Sequence, residues 1–314
     1  MANYPAATAP VQTVGGPDGD AQSGPSLMRV QSMFMIGLAA SVAIFWIGSR
    51  TFGVPAFPGF GGSLLTEPGG MVGLLLTGAG LVLCTLVGTG LAGWLRFDAG
   101  LWCAAGGMAV LSWRAGTVGD VLRSAGPSGG TFVLIVMGLE LAVLFALVGL
   151  AWAFLWLMHR QGWIKSEELE DDVEEALEPT WEKWAALGLT AAVMAVLMML
   201  LAQGDSKVQA QFAVGVAALV ATCVACWLYP VGPSAWFWCA PLVVGLLGYV
   251  GAYVAMPADG AAWKTGHLTA ALAPLARALP LDYATAGVVG SLLGYWAMRK
   301  RAMEKAEVGE NVAP

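Results

Sequence analysis

The stretch TFVLIVMGLELAVLFALVGLAWAFLWLM, residues 131–158, decides the fold class of this chain. It is a long apolar run that contains a single charged side chain, Glu140. A hydrocarbon layer about 30 Å thick is crossed by roughly 20 apolar residues of helix. The run exceeds that length and lacks the alternation of a barrel strand, so it predicts a transmembrane helix.

The composition of the whole chain also favours a membrane environment. Of its 314 residues, 58% are hydrophobic and only 11% are charged. Soluble domains carry roughly 25% charged residues, so this chain has too few of them to cover a surface that faces water. We therefore predict an all-α fold, a polytopic integral membrane helical bundle. The net charge of −6 argues against nucleic acid as a partner, because phosphate binding needs a basic surface.

The same length criterion finds eight apolar runs, which we predict to be membrane-spanning helices. They cover residues 30–47, 71–95, 99–113, 131–158, 184–202, 212–229, 235–256 and 283–298. The third run is short, because Asp98 and Arg114 bracket it. The predicted count falls to seven if this run does not cross the bilayer.

The spans divide the chain into predicted regions. These are a Pro- and Gly-rich disordered tail (1–28), a first membrane block (29–158), an acidic cytoplasmic linker (159–183), a second membrane block (184–298) and a C-terminal tail that is basic and then polar (299–314). An excess of Lys and Arg on one side favours an orientation with both termini in the cytoplasm. We expect the cell membrane, plasma or inner, as the location.

Glu140 is the residue that points most directly to an activity. A charged carboxylate deep in the bilayer costs about 2.5–3.5 kcal/mol on insertion scales, and desolvation favours the neutral form, which can carry a proton. The nearest expected partners are Arg114 and then Arg123, while no second buried carboxylate is expected. Two interpretations stay open. One is a binding site for a proton, a cation or a substrate, and the other is a structural hydrogen bond to a neighbouring helix.

Small residues at four-residue spacing mark helix faces that neighbouring backbones can approach closely. One such face comprises Ala286, Gly290 and Gly294 in the last run. Another comprises Gly80, Cys84 and Gly88 in the second run. Packing within the bundle is the favoured interpretation of both faces, and a homodimer seam is the alternative.

The short sequences that match catalytic or metal-binding motifs do not lie in the structural context that those motifs require. With only two histidines, His159 and His267, the sequence favours neither a bis-His haem, nor a His-based metal cluster, nor an H-E-x-x-H metalloprotease site. The CVAC sequence at 223–226 lies in the middle of an apolar helix, and GPSGG at 126–130 precedes its run instead of lying within it. We therefore expect no metal, no cofactor and no enzymatic activity.

The expected partners follow from the surfaces that this architecture leaves exposed. The lipid bilayer is one, and other membrane subunits or a second copy of the chain are the next expected. The acidic stretch at 166–183 is predicted to form a short amphipathic helix, repelled by anionic lipid, that offers a surface to a basic cytoplasmic partner.

Two functions remain open at this point. The favoured one is a non-catalytic structural or accessory subunit of a membrane assembly. The alternative is a transporter or channel that uses Glu140 as a proton- or cation-coupling site. Coupling requires a polar, water-accessible cavity around Glu140, whereas a single locked structural hydrogen bond argues against it.

Overall fold

The computed structural model describes residues 27–49, 63–66, 69–93, 96–163, 178–204, 206–255 and 272–310, and every regular element in these ranges is helical. The helices are α1 (Leu27–Gly48), α2 (Gly70–Ala92), α3 (Ala99–Arg114), α4 (Val118–Arg160), α5 (Trp181–Leu201), α6 (Lys207–Leu228), α7 (Ala235–Ala255, interrupted at Cys239) and α8 (280–310, with a π-helical segment at Tyr283–Gly287). Short 3-10 turns lie at Leu64–Thr66 and Pro274–Ala276. The predicted tail lies outside the described residues except for its last two, and so does most of the acidic linker.

Six of these helices are long and apolar enough to cross a membrane. They are α1, α2, α4, α5, α6 and α7. The structure thus confirms a helical chain with six candidate spans and does not confirm the predicted count of about eight. Helix α3 has just 16 residues, and α8 carries a run of charges in its last turns, so neither meets the same criterion of length and composition.

Helix α4 differs from its prediction, because it begins at Val118 instead of near Thr131. The Thr117 side chain caps the helix by accepting from the Asp120 backbone N–H, and the Asp120 carboxylate accepts from the Thr117 N–H in return. This reciprocal capping starts a helix where apolar periodicity gives no signal. Gly126, with φ 68° and ψ 177°, then interrupts the helical backbone, which only glycine does without a steric penalty.

The two helices outside the count of six lie inside the bundle. Helix α3 packs between α1 and α2 and also touches α8, and every residue of its Cys103–Ala105 segment is buried. Helix α8 runs along α6, and α4 packs against α7. Helix α1 is the least enclosed of the six apolar helices.

Helix α3 ends, and α2, α6 and α8 begin, at one end of the bundle, which we call the Asp282 end. Residues 272–279 fold over this end, and we call them the cover segment. Arg277 ties the cover segment to the α5–α6 connection by donating to the carbonyl oxygens of Ala202, at 3.2 Å, and Gln203. A side chain at Gly248 of α7 would come within 2.7 Å of the Leu275 carbonyl oxygen, so the segment lies directly on α7.

Candidate functional site

Glu140 is completely buried, and its hydrogen bonds come from the turn that precedes α2. Its Oε2 atom accepts from the Ser63 hydroxyl and from the Leu65 backbone N–H, the latter at 2.9 Å. The donors lie more than 70 positions away in sequence, in a Pro- and Gly-rich connection. Glu140 therefore holds the Leu64–Thr66 turn against α4.

The second oxygen of the Glu140 carboxyl group, Oε1, differs from Oε2 in its hydrogen bonding. Oε1 is buried and makes no hydrogen bond with any residue that the structure describes. Leaving a buried acceptor unpaired costs about 1–3 kcal/mol, and more when the group is charged. Only one of the two oxygens of the Glu140 carboxyl group is thus hydrogen-bonded, and helix packing alone does not explain the buried, unpaired one.

The two arginines expected near Glu140 have other recorded contacts. Arg114 donates to the Ser49 hydroxyl, just past the end of α1, and its guanidinium carbon lies 5.1 Å from the Trp46 ring centroid. Arg123 pairs with Asp120 at 2.7 Å, and its side chain is 62% exposed. Among the described residues, the hydrogen bonds to Glu140 come from the turn and not from either arginine.

A second buried carboxylate, Asp282, overturns the expectation that Glu140 would be alone. Asp282 is fully buried, and Lys207 Nζ lies 2.8 Å from its Oδ1 and 2.9 Å from its Oδ2. Its other donors are the Ser112 hydroxyl and the Leu279 backbone N–H, at 2.8 Å in the latter case. Both oxygens of Asp282 are therefore satisfied, and the pair fastens α3, α6 and α8 together.

A third buried carboxylate lies at the opposite end of the bundle. Asp98, directly before α3, accepts from the Ser234 hydroxyl at 2.5 Å, just before α7. Sequence reasoning placed Asp98 and Asp282 at the borders of apolar runs, where charges usually face water. The buried environment of both comes from connections that fold over the helix ends.

Two tyrosines lie beneath the cover segment, and one of them, Tyr283, directly follows Asp282. The rings of Tyr249 on α7 and Tyr283 on α8 meet edge to face, with centroids 6.4 Å apart. Both hydroxyl groups donate to carbonyl oxygens of the cover segment, Tyr249 to Ala278 at 2.7 Å and Tyr283 to Leu275 at 2.5 Å.

These side chains form two hydrogen-bonded groups, one around Glu140 and one around Asp282, with the two tyrosines beside them, and we call all of them together the polar cluster. Its members are Ser63, Ser112, Glu140, Lys207, Tyr249, Asp282 and Tyr283. The π-helical segment at Tyr283–Gly287 begins directly after Asp282. Single π-helical turns inside α-helices are frequent at functional sites, so the backbone and the side chains mark the same region.

The predicted small-residue faces lie against neighbouring helices of the same chain. Side chains added at Gly290 and Gly294 would strike the carbonyl oxygens of Gly215 and Leu219 on α6, and Ala286 lies beside Gly215. A side chain at Gly88 would come within 2.9 Å of the Cys103 Cβ atom on α3. Gly80 is buried on α2.

Within the described ranges, no three His, Cys, Asp or Glu side chains come together in a way that could hold a metal ion. The absence of a cofactor and of enzymatic activity stays a prediction. The Ser166–Leu177 part of the acidic linker lies outside the described residues, so its predicted helix and basic partner stay predictions as well.

No family model, no curated protein and no solved structure matches this chain. The functional argument therefore depends on the polar cluster and on the arrangement of the helices.

Proposed function

We propose that the chain is a multi-pass cell-membrane protein that serves as a non-catalytic structural or accessory subunit of a membrane assembly. In this proposal α3 and α8 cross the bilayer together with the six apolar helices, which makes eight spans and leaves both termini in the cytoplasm. The interior position of α3 and α8 supports the count, because helices enclosed by membrane-spanning neighbours do not need an apolar surface of their own.

One observation carries the structural role: buried polar groups of this bundle are used to join helices. Asp282 joins α3, α6 and α8, and Glu140 joins α4 to the turn before α2. Both side chains are enclosed and do not face an open channel. A groove of about 490 Å³ instead lies on the outside of α1, lined by apolar side chains that include Leu38, Val42 and Trp46. Lipid tails or a neighbouring membrane helix would cover such a surface.

The test of a subunit role is the mass of the particle extracted in mild detergent from its own membrane. A subunit is expected to elute in a complex of fixed stoichiometry that contains other polypeptides and is heavier than the 32.5 kDa chain or its simple multiples. Native mass spectrometry measures this directly. Recovery of the chain only as a monomer or a homo-oligomer would overturn the role of accessory subunit.

A second function is favoured by the unpartnered Oε1 atom of Glu140. A half-satisfied carboxyl group in the membrane is the kind of group that transporters use to couple ion movement. Purified protein in proteoliposomes would then show a pH-dependent flux that Glu140→Gln abolishes. Glu304→Gln is the matched control, because the Glu304 side chain is 60% exposed beyond the membrane-spanning part of α8. Equal flux in all three proteins, or none in any, would remove this alternative.

A further inference from the structure

We propose that Glu140 is a proton-binding site that the Leu64–Thr66 turn covers, and that H⁺, not a metal cation, is its ligand. The inference goes beyond the accessory role proposed above. It concerns the same side chain as the coupling alternative but needs no net transport, so either proposal can fail without the other.

The first argument is the unequal satisfaction of the two carboxyl oxygens. Oε2 has two donors from the turn, whereas Oε1 is buried without one among the described residues. An ionised carboxylate in this position keeps a full charge that no cation among the described residues neutralises, which is far more costly than burying a neutral acid. Binding one proton removes the charge. Asp282 provides the contrast, since Lys207 neutralises it at 2.8 Å.

The second argument concerns the identity of the ligand. Ca²⁺ takes about 6–8 oxygen ligands and Mg²⁺ needs nearly ideal octahedral geometry. The recorded donors to Glu140 are the Ser63 hydroxyl and the backbone N–H groups of Leu64 and Leu65, and N–H groups directed at a carboxylate repel a metal cation. A proton needs no coordination shell, because it bonds to one carboxyl oxygen, and Oε1 is available for it while Oε2 keeps its donors.

In the part of the chain that the structure describes, Tyr249 on α7 is the ionisable group recorded in interaction with Glu140. Asp282 and Tyr283 on α8 interact with Tyr249 in turn, and Lys207 pairs with Asp282. The thiol of Cys84 on α2 contacts Ser41 of α1 instead. The Lys207–Asp282 pair carries no net charge, so it leaves the charge of Glu140 uncompensated.

The third argument identifies the turn as the element that opens the site. A side chain at Gly70, the first residue of α2, would overlap the Leu64 carbonyl oxygen and come within 2.9 Å of the Leu65 Cα atom. The turn therefore lies against Glu140 only because residue 70 has no side chain. When the turn lifts, solvent reaches the carboxylate, and H₃O⁺ transfers a proton to it and becomes water. When the turn closes, the neutral acid stays buried.

Infrared spectroscopy of the full chain in lipid nanodiscs tests the proton site. At neutral pH we expect a carboxylic-acid C=O absorption that is lost in Glu140→Gln, is kept in Glu304→Gln, and disappears as the pH is raised. Adding Na⁺ or K⁺ at fixed pH should leave it unchanged. Absence of an absorption that depends on Glu140, or its removal by Na⁺ at constant pH, would overturn the proposal.

Reaction with a hydrophobic carbodiimide, which modifies protonated carboxyl groups in lipid, tests the role of the turn. Gly70→Ala should displace the turn and speed modification of Glu140 several-fold. Gly90→Ala is the matched control on the same helix, because nothing lies within 4 Å of a side chain added there. If Gly70→Ala does not fold, Ser63→Ala removes one donor without moving the backbone and should shift the C=O frequency. Equal modification rates in the two glycine variants, or an unshifted band in Ser63→Ala, would overturn covering by the turn.

Discussion

At the residue scale, Glu140 and Asp282 show how two buried acids in one cluster reach different states. Asp282 has a lysine, a hydroxyl and a backbone donor around its two oxygens, whereas Glu140 has donors on one oxygen only. The sequence made Glu140 identifiable because it interrupts an apolar run. Its partner Ser63 was not predictable, since no local pattern connects a Pro- and Gly-rich connection with α4. Lys207 and Asp282 were missed because charges at the ends of apolar runs usually face water.

Replacing Asp282 with Asn should destabilise the protein strongly. The Lys207 ammonium group would stay buried without its counter-charge, and removal of one partner from a buried pair costs about 3–5 kcal/mol. Thermal unfolding in detergent measures the loss. The double variant Asp282→Asn with Lys207→Met should recover much of it, because no charge is then left unpaired. A double variant as unstable as the single one would contradict this account of the pair.

At the element scale, helix bounds that coincide with the ends of apolar runs were predictable, whereas a helix start that depends on capping was not. Helices α2 and α5 lie close to their predicted spans, because apolar runs define them. The early start of α4 depends on the Thr117–Asp120 capping box and on a change of direction at Gly126, neither of which is part of the apolar pattern. The seam between α6 and α8 was predictable as a small-residue face, but its partner helix was not.

Replacing Thr117 with Ala should destabilise the start of α4 by about 0.5–2 kcal/mol, because the Asp120 backbone N–H loses its acceptor. Hydrogen exchange of the first turn of α4, measured by mass spectrometry, reports the effect locally. Thr180→Ala is the control, since Thr180 precedes α5 without a capping hydrogen bond from its side chain. Equal protection of the first turn in wild type and Thr117→Ala would contradict the capping role.

The same turn should loosen in acid. Partial burial raises the pKa of Asp120, but the hydrogen bonds from Arg123 and Thr117 outweigh this effect, and the net pKa lies below the ordinary value of 3.8. A carboxyl group with a lowered folded-state pKa stabilises the fold above its unfolded pKa, and that contribution is lost as the pH falls through the folded pKa. The protection factor of amides at the start of α4, which is the exchange rate corrected for the intrinsic effect of pH, should thus fall below about pH 4 in wild type. This acid-dependent loss of protection should be smaller in Asp120→Asn.

The α6–α8 seam gives a prediction with an internal control. Gly290→Ala should cost about 1–3 kcal/mol, because the added methyl group strikes the Gly215 carbonyl oxygen and must push the two helices apart. Gly188→Ala on α5 meets nothing within 4 Å and should be neutral or slightly stabilising, since alanine favours helices over glycine. Melting temperatures of the two variants in the same detergent distinguish the effects, and equal shifts would contradict the close approach.

At the scale of the whole molecule, composition was enough to predict a helical membrane protein, whereas the number of spans was not settled by it. Helix α3 falls outside a criterion of length and hydropathy because it is short, and α8 because its last turns are charged. The interior position of both helices is visible only in the folded chain, and it is the observation on which the proposed eight crossings depend.

Site-directed labelling with a membrane-impermeant thiol reagent, in a cysteine-free background, checks the topology. With eight crossings, cysteines placed at Gln161 and Glu304 should react from one side of the membrane, and a cysteine at Gln203 from the other. A tag added before Met1 should lie on the same side as Gln161. Labelling of Gln203 and Glu304 from the same side would show that α8 does not cross, and separation of the tag from Gln161 would do the same for α3.

The enclosed positions of α3 and α8 also bear on biogenesis. A nascent chain leaves the translocon segment by segment, and each segment partitions into lipid according to its own hydrophobicity. The short α3 gains little from partitioning alone, so we expect its insertion to depend on packing against α1 and α2, which are synthesised before it. Helix α8 emerges after α6, and we expect it to pack onto α6 as it enters the membrane. The Lys207–Asp282 pair joins these two helices, so it is expected to form only after α8 has been synthesised.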